Sequence, residues 1–316
     1  MTLAVALHSI LLQGQSNSKK GDLAYTVLPN SSPELNYNNE VDITFNTEEL
    51  TLNTAAFEYA SCIFQNELIV VSKRKIGSSG NRTNTILDQS DYKLIGFTKN
   101  NNNWSQPHII QDAFMGRENH GGITFSKDET RVFFTKTSPG KPHIYQIYSA
   151  ERKSKFAKTW QNEKVLALAD SKYSIENPWL SEDGKKLYFA SNMPGGHGGY
   201  DIYAVTVYKN GTVGKPENLG AFINSQNDEN YPTLNVNNTK LYFASNRKDS
   251  SYGGYDLFQS YVSSGDYSRA KNLGSSINSS SDEFRFITTS ETTGYFSSNK
   301  NALSKNPNIY SFSVKP

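Results

Sequence analysis

The residues in this sequence best placed to do chemistry are carboxylates. Two acidic pairs, Asp228-Glu229 and Asp282-Glu283, each precede a short apolar segment, and Glu58 and Glu176 stand in similar places before two others. Glu58, Glu176, Asp228, Glu229, Asp282 and Glu283 are therefore the ligand-binding candidates. Brought together in a ring, they would hold a cation or a basic peptide. The competing role is structural: a carboxylate at a turn accepts bonds from backbone N–H groups and ties segments together. That role is the favoured one, but no other polar residues make a better ligand set.

The remaining chemical motifs read more simply as architecture. Gly198-Gly199-Tyr200-Asp201 recurs as Gly253-Gly254-Tyr255-Asp256, and a unique catalytic site seldom repeats. Gly195-Gly196-His197-Gly198-Gly199 resembles a phosphate loop only superficially, because no helix follows to supply aligned N–H donors. His8, His108, His120, His143 and His197 show no metal-binding spacing. His120 and His143 fall in one unit and could meet, although generic turn positions suit them better. Cys62 is the single cysteine. It excludes an internal disulfide, and its apolar run suggests a buried small side chain. No Gly-x-Ser-x-Gly elbow is present. Trp104, Trp160 and Trp179 are expected to pack between elements rather than to stack on sugars. The sequence thus leads to expectations of no catalytic residue, no cofactor and no metal.

Composition narrows the class further. The chain has 316 residues, a hydrophobic fraction of 36%, aromatics at 12% and a mean hydropathy of -0.62. Few apolar but many aromatic residues suit numerous short strands joined by polar turns, not disorder. A net charge of +2 leaves no electrostatic footprint for nucleic acid.

The elements that must position these residues repeat. Leu-Tyr-Phe-Ala-Ser-Asn occurs at 187–192 and 241–246, and Asn-Leu-Gly at 218–220 and 272–274, both offset by 54 residues. Weaker copies flank them, giving five units. Each unit reads as four strands. Asp183-Gly184 and Asn210-Gly211 are hairpin signals between them, and Pro216 suits an edge strand. Four-stranded units repeating at about 40–55 residues predict propeller blades. The expected fold is all-β: a five-bladed β-propeller of four-stranded antiparallel blades. The last unit lacks a fourth strand, and residues near Asp42 to Leu50 are expected to supply it and close the ring.

Residues 1–40 read as a signal-like segment and flexible lead-in, and 41–316 as the propeller. The apolar stretch from Met1 to Leu12 is too short to span a bilayer, and it lacks a basic n-region. The expectation is export without a transmembrane span.

The repeated segments, with Ile223-Asn224-Ser225 and Asp228-Glu229, resemble the WD40-like repeat of TolB-type proteins, above all the version in Bacteroidetes cell-envelope proteins of the OmpA family. The likeness is strongest over 175–300. Neither the helical repeat nor the OmpA-like domain of those proteins is present. The resemblance implies a periplasmic or outer-membrane-associated propeller that binds another envelope protein. The functional expectation is a non-catalytic scaffold, since five blades use the whole chain. The alternative is a glycan partner: a carbohydrate-binding module or a polysaccharide-active, lyase-like propeller.

Overall fold

In the computed structural model, residues 26–27, 43–76, 92–101, 103–110, 120–138, 140–301 and 306–315 are described. They form five antiparallel sheets, the five blades of a propeller. Blade one is built from Glu58–Phe64, Glu67–Ser72 and Lys93–Asn100, with outer pieces Asn103–Trp104 and His108–Ile109. Blade two comprises His120–Phe125, Arg131–Ser138, Lys141–Glu151 and Gln161–Val165. Blade three comprises Ile175–Leu180, Lys186–Ser191, Asp201–Thr206 and Glu217–Asn218. Blade four comprises Glu229–Leu234, Lys240–Ser245 and Asp256–Ser263, with outer pieces Asp266–Tyr267 and Lys271–Asn272. Blade five comprises Glu283–Thr288, Thr293–Ser298 and Asn308–Val314, completed by Phe45–Glu49 from near the start of the chain.

Strand alternation explains why the blades must stack. In blade three, Leu187, Phe189, Tyr203 and Val205 join a core with Phe133 and Ile147 of blade two. The intervening Tyr188, Ala190, Ile202 and Ala204 join Leu241, Phe243 and Phe258 of blade four. Side chains one residue apart lie on opposite faces of a strand, so each sheet is apolar on both sides and needs two neighbours. Each fully buried Phe or Leu contributes about 1.5–3 kcal/mol to that stacking. The hairpin signals fall where expected, with Gly184 and Gly211 at φ of 70° and 78°.

Ring closure follows the expectation. Phe45–Glu49 pairs antiparallel with Asn308–Val314, from Phe45 opposite Val314 to Glu49 opposite Tyr310. The Phe45 ring meets Phe286 and Phe312 edge-on at 6.0 and 5.7 Å. Thr26–Val27 adds a short parallel strand on Glu217–Asn218 of blade three. The rest of the 1–40 segment, and residues 77–91 of the insertion after Arg74, lie outside the described residues. Among the described residues, no helix is long and apolar enough to cross a membrane.

The tryptophans pack as expected. Trp104 of blade one meets Tyr295 of blade five at 6.0 Å, and Trp160 joins Phe125 in a core. Trp179 is half-buried among residues of several blades. Cys62 is buried, and that burial pushes its thiol up to about 12.

Candidate functional site at the axial mouth

The innermost strand of each blade begins near the axis, and there the carboxylates divide into three groups. Glu58, Glu229 and Glu283 occupy equivalent rungs, opposite Ser72, Ser245 and Ser298. All three are fully buried. Glu229 accepts bonds from the Ser225 backbone N–H and hydroxyl, the Ser245 hydroxyl and Arg247. Glu283 does the same with Ser279 and Ser298. Glu58 repeats the pattern with Thr54, Ser72 and Arg74. Each pins the incoming loop to its own blade. Burial pushes the Glu283 carboxyl above its ordinary value, against the pull of its serine donors.

Asp228 and Asp282 act between blades. Asp228 accepts the Tyr200 backbone N–H at 2.8 Å and the Asn246 side-chain amide at 3.1 Å. Asp282 accepts the Tyr255 N–H and the Asn299 amide in the same way. Glycine makes the approach feasible: a Cβ on Gly198 would lie 1.9 Å from the Asn227 carbonyl oxygen, and one on Gly253 would lie 2.3 Å from the Ser280 carbonyl carbon. The Asp of the repeated motif caps the loop before it. Asp201 accepts the His197 and Gly198 N–H groups and the Asn218 amide.

Glu176 differs from the rest. Ile175, not Glu176, stands opposite Ser191 in the latch position. Glu176 lies one residue further, on the rung that Asn230 takes in blade four. It is half-buried and makes side-chain hydrogen bonds with Asn230 and Tyr200. Burial pushes its carboxyl up to about 7, with Asn230, Tyr200 and the Arg285 charge pulling the other way. Its charge bears on Tyr59, Tyr145, Tyr200, Tyr231 and Tyr255, which come from four blades. Burial raises all five phenols, Tyr200 to about 12. At neutral pH they are hydroxyl donors on aromatic faces. Two of them, Tyr59 and Tyr231, cluster with Phe284, with ring centroids 4.8 to 6.0 Å apart.

Among the six sequence candidates, then, three are latches, two are inter-blade clasps, and Glu176 alone presents a carboxyl amid tyrosines. The tyrosine ring and Arg285 were not anticipated. The signal was available: the 54-residue offset that aligns Pro178 with Pro232 also sets Glu176 against Asn230 and Asn177 against Tyr231. His143 is exposed, and the His120 side chain lies outside the described residues. Among the described residues, no group of three or more metal-ligating side chains converges.

A carboxyl that is part-protonated near neutrality can donate a proton to a bound oxygen. Tyrosine rings with hydroxyl edges give the amphipathic surface that a sugar ring needs.

No family model matches the sequence, and no curated protein matches it. Solved structures are similar in fold. A thermostable family-43 glycoside hydrolase superposes with a TM-score of 0.57 at 14% identity, covering 85% of this chain and 96% of that one. A β-xylosidase, RS223, gives 0.51 at 10% identity, covering 86% and 98%. A TolB structure from Agrobacterium tumefaciens gives 0.41 at 13%, covering 87% and 99%. The first two likenesses, to the hydrolase and the xylosidase, are likenesses of the propeller fold. They also overturn the expectation of a non-enzymatic scaffold, because its ground was that five blades leave no room for catalysis. In the first two cases almost the whole hydrolase chain is spanned by the match, so a disc of this size is sufficient for an enzyme.

Proposed function

We propose that this chain is a polysaccharide-active propeller that takes glycan at the axial mouth, with Glu176 as the proton donor to the glycosidic oxygen. The carrying observation is the Glu176 carboxyl itself. It is held near 7 by burial, bonded by Tyr200 and Asn230, and set among tyrosines. In glycoside cleavage one carboxyl must stay protonated while a second group of opposite role works on the other side of the bond. The charge of Asp228, like that of Glu176, bears on Tyr200 and Tyr255, but its two oxygens are held by the Tyr200 N–H and the Asn246 amide, so the second role is left to a group the substrate or solvent brings. The similar hydrolase and xylosidase folds support this reading, and plant-wall pentosans are the first substrates to try. Export to the envelope fits a polymer substrate and is part of the same proposal.

The test is release of reducing ends from xylan, arabinan and a panel of bacterial envelope glycans. The wild type is expected to act on at least one polymer, and Glu176→Gln to lose at least 100-fold. Equal rates in both proteins, or no release and no binding across the panel, would overturn the assignment.

A further inference from the structure

Arg285 is the most unusual residue of the molecule. It is the largest fully buried side chain among the described residues. Its φ of 53° places it on the strand bulge that Asn177 and Tyr231 share in blades three and four, at 56° and 54°. Every other blade contributes to its surroundings. Its charge bears on Tyr59 and Cys62 of blade one, Asn177 of blade three accepts from Nη2 at 3.2 Å, and its guanidinium lies 5.5 Å from the Tyr231 ring centroid in blade four. In blade two, Gly122 leaves the space: a Cβ there would lie 1.9 Å from Nη2. The acceptor it finds among the described residues, the Asn177 amide oxygen, is neutral. Nε and Nη1 are buried with no hydrogen-bond partner, which leaves three of the five guanidinium N–H donors unused.

A buried guanidinium without a counter-charge is costly, and a neutral partner does not remove that cost. Glu176 is the acidic group whose charge bears on Arg285, and near neutrality it is part-protonated. Arg285 is fully buried, so nothing as large as a sugar reaches it. We propose that Arg285 holds a small monovalent anion, of the size and charge of chloride, at its buried guanidinium, close to Asn177 and the Tyr231 ring. The anion accepts from the unused N–H groups and neutralises the charge that blade five brings into the core. This site is independent of the glycan reading, because it needs no substrate.

The test is thermal unfolding at fixed ionic strength while chloride replaces gluconate, an anion too bulky for the site, combined with anomalous diffraction from crystals grown in bromide. A saturable rise in Tm of about 2–4 °C is expected, absent in Arg285→Met, with a bromide peak beside the guanidinium. If Arg285→Met does not fold, the bromide map and the wild-type titration still decide. Equal Tm in the two salts and no bromide peak would mean that water satisfies Arg285, and the proposal would fall.

Discussion

At the residue scale the argument turns on the different surroundings of otherwise similar carboxylates. Glu229 and Glu283 are surrounded by donors that fix their oxygens, and Glu176 is half-buried, with Tyr200 and Asn230 beside it. Its raised pKa has a consequence for stability. A carboxyl that binds protons more tightly when folded lends stability in full below its unfolded pKa of 4.5, and loses it as pH rises through about 7. Glu176→Gln cannot ionise, so it should be more stable than wild type by about 1–3 kcal/mol above pH 7 and nearly equal at pH 4. Urea unfolding at the two pH values checks this, and a variant that is less stable at pH 8 would contradict it. Glu229→Ala should behave oppositely. It strands the buried Ser245 and Arg247 groups, and it should cost about 3 kcal/mol at pH 7 in the same measurement.

At the scale of elements, the repeat made the blades legible. A strand such as Leu187–Ser191 carries its alternation in five residues, and Asp183-Gly184 marks the turn before it. What stayed hidden was the latch position of blade three. It holds Ile175, opposite Ser191, so taking the nearest acidic residue misplaces Glu176 among the latches by one. The bulge that follows recurs in blades three, four and five and leaves the repeat offset intact. Arg285 sits on that bulge and escaped notice because a positive φ at a non-glycine residue leaves no mark in a sequence. The inter-blade clasp makes its own prediction. Gly198→Ala drives a methyl into the Asn227 carbonyl and should loosen the junction of blades three and four. Faster hydrogen exchange at the Tyr200 and Glu229 amides, which bond across that junction, is the expected result. Exchange unchanged from wild type would show that the loop absorbs the methyl.

At the scale of the whole molecule, the ring is closed by a strand from near the start of the chain, and the axis exists only because it closes. Phe45 is the key to that closure, buried against Phe286 and Phe312. Phe45→Ala should cost about 3–5 kcal/mol, read as a fall in the urea midpoint, and should weaken glycan binding at a mouth it does not touch. Fold class was readable because periodicity is a property of the whole chain. The separate place of Glu176 was not, because a latch and a half-buried carboxyl are the same residue type one position apart. The inference from a filled disc to a lack of enzymatic activity failed for a related reason: an axial site needs no added domain.

The most direct measurement is a crystal structure of Glu176→Gln with an oligosaccharide from the polymer that binds best. The account predicts a sugar ring at the axial mouth, packed on Tyr200 or Tyr255, with a glycosidic oxygen within hydrogen-bond reach of the residue 176 amide. A sugar bound on the rim or the opposite face, with the tyrosine mouth empty, would contradict it.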